Sequence, residues 1–391
     1  MLNTPFSPWP CFSKEEADAA SQVLLSNQVN YWTGTQGREF EKEFSCWAGC
    51  EYAIAVANGT VALDLAFKGL NLPEGGEVIV TSRTFIASVS SIVTAGLVPI
   101  FADVDRDAQN ITAETIEAVC SDKTVAIVCV HLAGWPCDMD SIMALAEDRN
   151  LVVVEDCAQA HGAYYKGRPV GSIGDVGCWS FCQDKIMTTG GEGGMVTTNS
   201  ESLWKSMWAY KDHGKAWDAV YSKQHPPGFR WLHESFGTNW RMTEIQAAIG
   251  RIQLKKMPIW HVARKEYAAS ILSVASKLSA LRVPVLPSDI EHAWYKLYVF
   301  VRPEKLKSGW SRDRVIAEIN QKGVPCFSGS CSEVYLEKAF DGTGWRPANR
   351  LPVAKELGET SLMFLVHPTL SPHEVDKTCD VLAFVMCEAS V

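Results

Sequence analysis

The chain of 391 residues is longer than one ordinary hydrophobic core, so at least two domains are expected. Its residues are 47% apolar and 21% charged, with a formal net charge of −9, which predicts a compact protein and argues against nucleic acid as a partner. The sequence has no run of roughly 18–20 apolar residues and no signal-peptide pattern, so we expect a cytoplasmic protein without membrane contact.

The first half of the chain alternates between strand and helix patterns. Residues 1–13 are predicted to form an extended arm, and a capping pattern at Ser13 begins a helix that ends near residue 25. After a second helix over 38–48, the predicted strands are 52–57, 77–81, 98–104, 125–131 and 151–155, and the predicted helices are 59–70, 85–95, 112–120 and 139–149. This alternation predicts a mostly parallel sheet with helices on both faces, whose ligands bind beyond the carboxyl ends of the strands.

The second half predicts two further strands, a long loop and a smaller C-terminal α/β domain. The predicted elements are strands 178–181 and 195–198, a helix over 201–210, a functional loop over 211–240, helices over 243–257 and 260–277, a strand over 294–302, and helices over 312–322 and 372–387. Pro258 is expected to end the first of the two long helices. We place the large domain at residues 1–250 and the small domain at 251–391.

Residues 156–194 carry the most informative pattern. Lys185 lies between a strand and a glycine-rich turn beside apolar residues, where desolvation would lower its pKa toward the nucleophilic range. Taken alone, such a lysine also fits an ordinary surface charge. Asp156 ends a buried strand, where its carboxylate needs a positive partner. That partner is either the pyridine nitrogen of a cofactor, or a helix N-terminus or internal salt bridge.

A second group of residues suits a phosphate. Gly59 and Thr60 begin a helix directly after a strand and so offer backbone N–H groups, a hydroxyl and the helix dipole, although this pair is also common in plain turns. Ser180, five positions before Lys185, adds another hydroxyl. The glycines after Lys185 do not form a GxxxxGK[ST] phosphate loop.

Four further side chains have a functional and a structural interpretation. Gln159 fits a hydrogen bond to a ring hydroxyl or a loop facing water, and Phe85 fits a stacking partner or a core aromatic. His161 and His367 fit substrate contacts or structural positions equally well. No metal site is expected, because the thirteen cysteines form no CxxC pair.

Taken together, these residues resemble the DegT/DnrJ/StrS family of pyridoxal-phosphate-dependent nucleotide-sugar aminotransferases, within the fold-type-I, aspartate aminotransferase-like superfamily. The resemblance covers nearly the whole chain. The matching segments are VVEDCAQAHGAYYKGRPVGSIGDVGCWSF before Lys185, GGEGGMVTTN after it, VHLAG at 130–134, FGTNWRMTEIQAAIGRIQL at 236–254 and HPTL at 367–370.

The resemblance implies a role for each matched residue. Lys185 would bind the cofactor covalently and move the proton, while Phe85 would stack on the ring. The cofactor contacts would be Asp156 at the pyridine nitrogen, Gln159 at the ring oxygen, Gly59, Thr60 and Ser180 at the phosphate, and Asn239 at the phosphate of the neighbouring subunit, because family members are homodimers with shared active sites.

The chain departs from the family pattern near the site. Asn58 stands where the family usually has serine, the usual proline near Arg83 is missing, and Cys182-Gln183-Asp184 replaces the commoner run before the lysine. Relatives that replace the lysine with histidine act as dehydratases, and Lys185 argues against that activity here.

The implied reaction is a ping-pong transamination in which pyridoxal 5'-phosphate alternates with pyridoxamine 5'-phosphate. L-Glutamate would donate the amino group to a nucleotide-linked keto sugar, at C-4 of a dTDP- or UDP-4-keto-6-deoxyhexose, for the synthesis of surface polysaccharide such as the O-antigen of lipopolysaccharide. The alternatives are amination at C-3, a keto-cyclitol acceptor, or a non-catalytic regulatory relative that binds the cofactor.

Overall fold

A computed structural model of the chain describes residues 5–391. Its helices are α1 (Lys14–Ser26), α2 (Gln36–Trp47), α3 (Gly59–Leu70), α4 (Ala87–Thr94), α5 (Ala113–Glu117), α6 (Met139–Arg149), α7 (Glu201–Lys211), α8 (Trp217–Tyr221), α9 (Glu244–Ala275), α10 (Arg312–Gln321), α11 (Pro352–Thr360) and α12 (Pro372–Ala389). The predicted helices of the first half are confirmed to within a few residues.

The strands form two main sheets and one small one. They are β1 (Tyr52–Val56), β2 (Glu77–Thr81), β3 (Val98–Ala102), β4 (Thr124–Val130), β5 (Val152–Asp156), β6 (Tyr164–Tyr165), β7 (Arg168–Pro169), β8 (Val176–Ser180), β9 (Gly194–Thr198), β10 (Leu281–Arg282), β11 (Ile290–Glu291), β12 (Leu297–Val301), β13 (Cys326–Phe327) and β14 (Ser361–Phe364). The seven-stranded sheet has the order β1-β9-β8-β5-β4-β2-β3, and the four-stranded sheet has the order β10-β12-β14-β13.

The large sheet brings the ends of its parallel strands to one edge. Strands β3, β2, β4, β5 and β8 pair in parallel, while β9 is antiparallel to both β8 and β1. Strand β1 therefore runs in the same direction as β8. The carboxyl ends of β1, β2, β4, β5 and β8 meet at the same edge, where ligands of open α/β sheets bind. The predicted α/β fold with a mostly parallel, helix-flanked sheet is confirmed.

Both faces of this sheet are buried, as a near-continuous apolar strand pattern requires. Along β2, Val78 and Val80 join one apolar cluster, whereas Ile79 joins another on the opposite face. Successive side chains of a strand point to opposite faces, so the sheet separates two cores. A further cluster packs α10 and α12 against the four-stranded sheet. That sheet is antiparallel throughout, and the sequence predicted only β12 of its four strands.

The prediction that Pro258 ends a helix is wrong. Helix α9 continues through Pro258 as one element, so the proposed domain boundary at residue 250 falls inside it. Proline has no N–H for the carbonyl of Leu254 and costs roughly 3 kcal/mol in a helix interior. The helix packs against α1, α2 and α12, and Leu254 and Met257 are buried, so tertiary contacts hold the helix together on both sides of the proline.

Two other expectations need refinement. The loop predicted over 211–240 contains the short helix α8. Residues 1–4 of the predicted N-terminal arm lie outside the described residues, but the rest of the arm makes specific contacts. Trp9 packs edge-on against Trp260 of α9, and its Nε1 donates a hydrogen bond to the backbone oxygen of Lys185 at 2.8 Å. The arm thus reaches the segment that carries the predicted covalent lysine.

Candidate active site

A cavity of about 1030 Å³ opens at the carboxyl edge of the large sheet. Two walls enclose it. The first, called here the cofactor wall, consists of Gly59, Thr60, Asp156, Gln159, Ser180 and Lys185. The second, called the C-terminal wall, consists of Tyr295, Lys296, Tyr298, Ser330 and Cys331. The structure therefore brings most of the predicted site residues together in one cavity.

The phosphate end of the cofactor wall is the N-terminus of α3. Asn58 caps this helix by accepting a hydrogen bond from the backbone N–H of Val61 at 2.9 Å. The first N–H groups of any α-helix have no intrahelical acceptor, so those ahead of Val61 remain available to a ligand. A Cβ on Gly59 would lie 2.5 Å from Cβ of Ser180, so only glycine fits between the helix and β8. Backbone donors and two hydroxyl-bearing residues, Thr60 and Ser180, thus line one small region suited to an anion.

Asp156 holds its carboxylate at the end of β5 and is 6% exposed. One carboxylate oxygen accepts a hydrogen bond from the Ser88 hydroxyl at 2.7 Å, and the other accepts one from the backbone N–H of Ala158 at 3.1 Å. Both contacts fix its orientation, but neither is a cation. A buried carboxylate that lines a cavity without a cationic neighbour suits a positively charged ligand atom such as a protonated pyridine nitrogen.

Gln159 is oriented by the chain segment after β4. Its Oε1 accepts a hydrogen bond from the backbone N–H of Ala133 at 2.8 Å. Ala133 itself has a positive φ of 58°, so the segment turns sharply at this point. Because the oxygen is occupied, the amide nitrogen of Gln159 is the group that remains to donate to a ligand oxygen.

Lys185, a partly buried residue of the cofactor wall, lies near Tyr295 of the C-terminal wall. Its Nζ lies 4.0 Å from Oδ1 of Asp184 and 5.3 Å from the ring centre of Tyr295. The hydroxyl of Tyr295 donates a hydrogen bond to Oδ2 of Asp184. Burial tends to raise the pKa of Asp184, but Lys185, Tyr295 and Lys296 outweigh it and hold that pKa below its ordinary value. Asp184 therefore stays charged and orients the lysine.

Phe85 lines the cavity and Asn239 does not, and the roles predicted for both stay predictions. The Phe85 ring is 68% exposed and lines the cavity beside Thr84, so its face is free for an aromatic ligand. Asn239 is exposed, and its backbone forms an isolated bridge with Asp212. It is not part of the cavity lining of its own chain.

The two histidines predicted at the substrate lie away from the cavity lining. His161 is fully buried against Trp179 and Phe181, and burial lowers its pKa to about 3. His367 stacks on Trp9, hydrogen bonds Thr369 at 2.8 Å, and also has a pKa lowered by burial to about 3. Both rings are neutral at ordinary pH, and their substrate contacts remain untested predictions.

A buried cluster near the cofactor wall has a structural explanation. His131, Glu155 and Cys157 offer ligand atoms within 4.8 Å of one another, an arrangement also seen in metal sites. Glu155, however, already accepts hydrogen bonds from His131 and from the backbone of Gly171 and Gly174. This saturated carboxylate ties β5 to the turn before β8, so the cluster supports the position of Asp156.

The sequence did not reveal the C-terminal wall. Tyr295 and Lys296 directly precede the buried strand β12, and Tyr298 lies within it. Ser330 and Cys331 come from the segment after β13. A charged residue next to a fully apolar strand is the same signal that singled out Asp156, and it would have identified Lys296.

The cofactor wall fits pyridoxal phosphate on three structural grounds. The α3 N-terminus offers backbone donors for a phosphate beside a glycine that no other residue can replace without a clash. Asp156 presents to the same cavity a carboxylate whose two hydrogen-bond donors are uncharged. Lys185 presents a primary amine to this cavity.

Comparison with known proteins gives one consistent result. The sequence matches the DegT/DnrJ/EryC1/StrS aminotransferase family over residues 10–383. GDP-perosamine synthase from Escherichia coli O157:H7 is 34% identical over 95% of both chains. The dTDP-3-amino-3,4,6-trideoxy-alpha-D-glucose transaminase from Streptomyces venezuelae is 32% identical, over 94% of this chain and 92% of that protein.

A solved structure agrees even more closely. The aminotransferase from Psychrobacter cryohalolentis is 65% identical and has a TM-score of 0.97, over 98% of this chain and 99% of that one. The described part of the chain contains no helix with the length and apolar character that a membrane span needs. The chain therefore belongs to the DegT/DnrJ/EryC1/StrS aminotransferase family and is a transaminase that depends on pyridoxal phosphate.

Proposed function

We propose that this transaminase moves an amino group from L-glutamate to a nucleotide-linked keto sugar, at C-4 of a dTDP- or UDP-4-keto-6-deoxyhexose. The observation that carries the proposal is the continuous cavity of about 1030 Å³, which is lined both by the cofactor wall with Lys185 and by the C-terminal wall. Ligand cavities commonly measure about 300–1,000 Å³, so this one has room for a second ligand beside the cofactor. Lys185 is within reach of both.

The cofactor wall would bind and orient the cofactor. The phosphate would bind to Gly59, Thr60 and Ser180, the Asp156 carboxylate would keep the pyridine nitrogen protonated, and the Gln159 amide would donate to the ring oxygen. When bound, pyridoxal phosphate supplies the electron sink that makes the bond beside the transferred nitrogen reactive.

Lys185 would then act in two ways. Its amine holds the cofactor covalently before the donor arrives, and once released it moves the proton between the two carbon positions of the transfer. Asp184 and Tyr295 hold this amine in place through the contacts described above. Glutamate leaves as 2-oxoglutarate in the first half, and the keto sugar accepts the nitrogen in the second.

The acceptor position has a second candidate. The name of the Streptomyces venezuelae relative specifies an amino group at position 3, which favours C-3 amination as the alternative. The names of the reported relatives include both GDP and dTDP. Because these relatives differ in their nucleotide, the choice of dTDP or UDP for this chain is also part of the proposal. We propose that the reaction takes place in the cytoplasm and serves the synthesis of surface polysaccharide.

Asn239 is proposed to complete the site of a second copy of the chain in a homodimer. The segment before Asn239 exposes large aromatic side chains: Phe229 is 75% exposed, Trp231 83% and Phe236 100%. Exposed aromatic side chains concentrated in one segment are typical of an interaction surface. A partner subunit that covers them would also bring Asn239 to a cavity.

A panel of keto sugar nucleotides tests the acceptor. Purified protein loaded with pyridoxal phosphate would be incubated with L-glutamate and the 4-keto and 3-keto compounds on dTDP, UDP and GDP, and the amino sugars identified by mass spectrometry and NMR. We expect turnover with a 4-keto compound. Turnover with 3-keto compounds alone would show that the position of amination is C-3 and not C-4. Turnover with none of the compounds would reject nucleotide-linked keto sugars as the acceptor class.

Mixing two inactive variants tests the shared site. Lys185→Ala and Asn239→Ala would be unfolded and refolded together, because a hybrid dimer then has one site with both defects and one with neither. Activity above that of either variant is expected. If none returns although the hybrid forms, Asn239 does not act across the interface.

A further inference from the structure

The C-terminal wall carries an excess of positive charge next to Lys185. Lys296 lines the cavity, and Arg264 is fully buried behind it, with Nε and Nη2 lacking hydrogen-bond partners. Asp184 is the carboxylate that interacts with both Lys185 and Lys296. Two cations thus remain uncompensated when Asp184 is paired with Lys185. A buried excess of positive charge is costly unless an anion balances it.

Lys296 is the cation that a ligand can reach. Among residues 5–391, its ammonium group has no salt-bridge or hydrogen-bond partner, and its one recorded contact is with the Tyr295 ring, whose centre lies 4.9 Å from Nζ. Burial, together with Arg264 and Lys185, lowers the pKa of Lys296 to about 8, although Asp184 acts in the opposite direction. Arg264, in contrast, lies over the Trp9 ring and is not part of the cavity lining.

The backbone of Lys296 is attached to the cofactor wall. The N–H groups of Tyr295 and Lys296 both point to the carbonyl of Ala133, at 2.9 Å and 3.5 Å. The N–H of the same residue, Ala133, binds Oε1 of Gln159. One peptide segment therefore sets the position of Lys296 relative to Gln159. The side chain of Lys296 lines the same cavity as Lys185, close enough for their charges to interact.

We propose that Lys296 binds a carboxylate of the amino donor. This assignment rests on the proposed function, in which a dicarboxylic amino acid and a nucleotide sugar use the same cavity in turn. In glutamate, a carboxylate is bonded directly to the carbon that carries the reacting nitrogen. In the acceptor, the hexose ring separates the reacting carbon from the diphosphate. A cation next to Lys185 therefore suits the donor's carboxylate.

Binding without reaction gives the direct test. Glutarate has two carboxylates and no amine, so its affinity for the protein loaded with pyridoxal phosphate reports carboxylate binding alone. Calorimetric titration would compare the wild type with Lys296→Met, which keeps the aliphatic stem, and Lys296→Arg, which keeps the charge. We expect the affinity to fall at least about tenfold in Lys296→Met and to recover largely in Lys296→Arg, as loss of a charged hydrogen bond predicts.

A kinetic readout separates binding from chemistry. In the first half-reaction, followed by cofactor absorbance with L-glutamate and no acceptor, Lys296→Met should raise the half-saturating glutamate concentration about tenfold and change the limiting rate much less. Lys322→Met is the matched control, because this lysine lies 4.4 Å from the Phe384 ring centre but does not line the cavity. It should leave both quantities unchanged.

The possible results distinguish a failure of the Lys296 assignment from a failure of the proposed acceptor. Unchanged glutarate affinity in Lys296→Met, or no glutarate binding by the wild type, would overturn the assignment. Weaker binding of UDP or dTDP with unchanged glutarate binding would also overturn it and give Lys296 to the diphosphate. If glutarate binding depends on Lys296 but no keto sugar nucleotide accepts an amino group, the proposed acceptor fails and the role of Lys296 stands.

Discussion

The two walls of the cavity are built in different ways. The cofactor wall consists of strand ends and a helix N-terminus, so the sheet hydrogen bonds and the caps fix its groups before any ligand binds. The C-terminal wall consists of side chains from β12 and from the segment after β13, which extend into the cavity from a separate antiparallel sheet. Side chains whose positions are fixed by strand ends, a helix cap and backbone hydrogen bonds suit a ligand that is the same in every turnover. The side chains of the C-terminal wall are the part of the cavity that remains for the substrate.

The same difference appears in electrostatics. In the cofactor wall, both oxygens of Asp156 accept hydrogen bonds from neutral donors, so the positive charge that balances this carboxylate would come from the ring nitrogen of the cofactor. The C-terminal wall leaves Lys296 unpaired within the described residues, and Arg264, which is buried behind that wall, is only partly satisfied. The first wall is complete without the substrate, whereas the second needs an anion. Substitutions should therefore separate cofactor effects from substrate effects.

The largest expected effect comes from Lys185→Ala. Amine transfer should fall by at least about 10³-fold, because the substitution removes both the covalent attachment and the group that moves the proton. After borohydride reduction, mass spectrometry should show the cofactor mass on the wild-type chain and none on the variant. Lys205→Ala, which alters a lysine of α7, is the control. Glutamate-dependent turnover that survives in Lys185→Ala would remove Lys185 from the mechanism.

Asp156→Asn should come next, with a loss of about 10–100-fold in amine transfer. The amide keeps the shape of the side chain but cannot balance a protonated pyridine nitrogen, and a hydrogen bond to a charged group contributes about 1.5–3 kcal/mol. Cofactor absorbance and turnover would be measured together. Ser88→Ala removes only the hydroxyl that orients Asp156 and should cost less. Equal losses in the two variants would show that orientation, not charge, is what matters.

Gly59→Ala should weaken cofactor binding by about tenfold. The new Cβ would lie 2.5 Å from Cβ of Ser180, and relief of such overpacking typically costs about 1–3 kcal/mol. Fluorescence titration of the cofactor-free protein with pyridoxal phosphate measures the effect. Gly69→Ala is a steric control in the same helix, since its Cβ would clash with the buried side chain of Met207 away from the cavity. A loss of melting temperature with unchanged cofactor affinity in Gly59→Ala would contradict the phosphate assignment.

The contrast between the walls also explains what the sequence could predict. Asp156 follows one predicted strand, Ser180 and Lys185 lie at and after the next, and Gly59 lies at an equivalent strand end, so the strand pattern together with the family resemblance assigns them to one site. Lys296 is more than 100 residues away from them, directly before a strand of another sheet. A charged residue beside an apolar strand marks Lys296 locally, but no local pattern gives the packing of one sheet against the other, so the place of Lys296 in this cavity could not be predicted.

At two other positions, tertiary packing decides what a local sequence signal cannot. Pro258 carries a strong local signal for a helix end, yet the packing of α9 against three other helices overrides it. His161 lies in the most informative stretch of the sequence, only two positions after Gln159, but its side chain points into an apolar cluster. Sequence spacing places a loop at the site, whereas tertiary packing decides which of its side chains face the ligand.

The smallest expected effect is a pH dependence specific to the C-terminal wall. The pKa of Lys296 is lowered to about 8, so its charge is present below that pH and is lost as the pH rises through it. If this charge binds the donor, the KM for glutamate should rise above pH 8, at most about tenfold per pH unit. Asp184, Tyr295, Lys185 and Arg264 also face this region, and the donor amine titrates as well. The variant Lys296→Arg keeps all of these groups, and its guanidinium stays charged over this pH range. The ratio of the wild-type KM to the KM of Lys296→Arg should therefore isolate the titration of Lys296. If KM depends on pH in the same way in the wild type and in Lys296→Arg, the charge of Lys296 does not bind the donor.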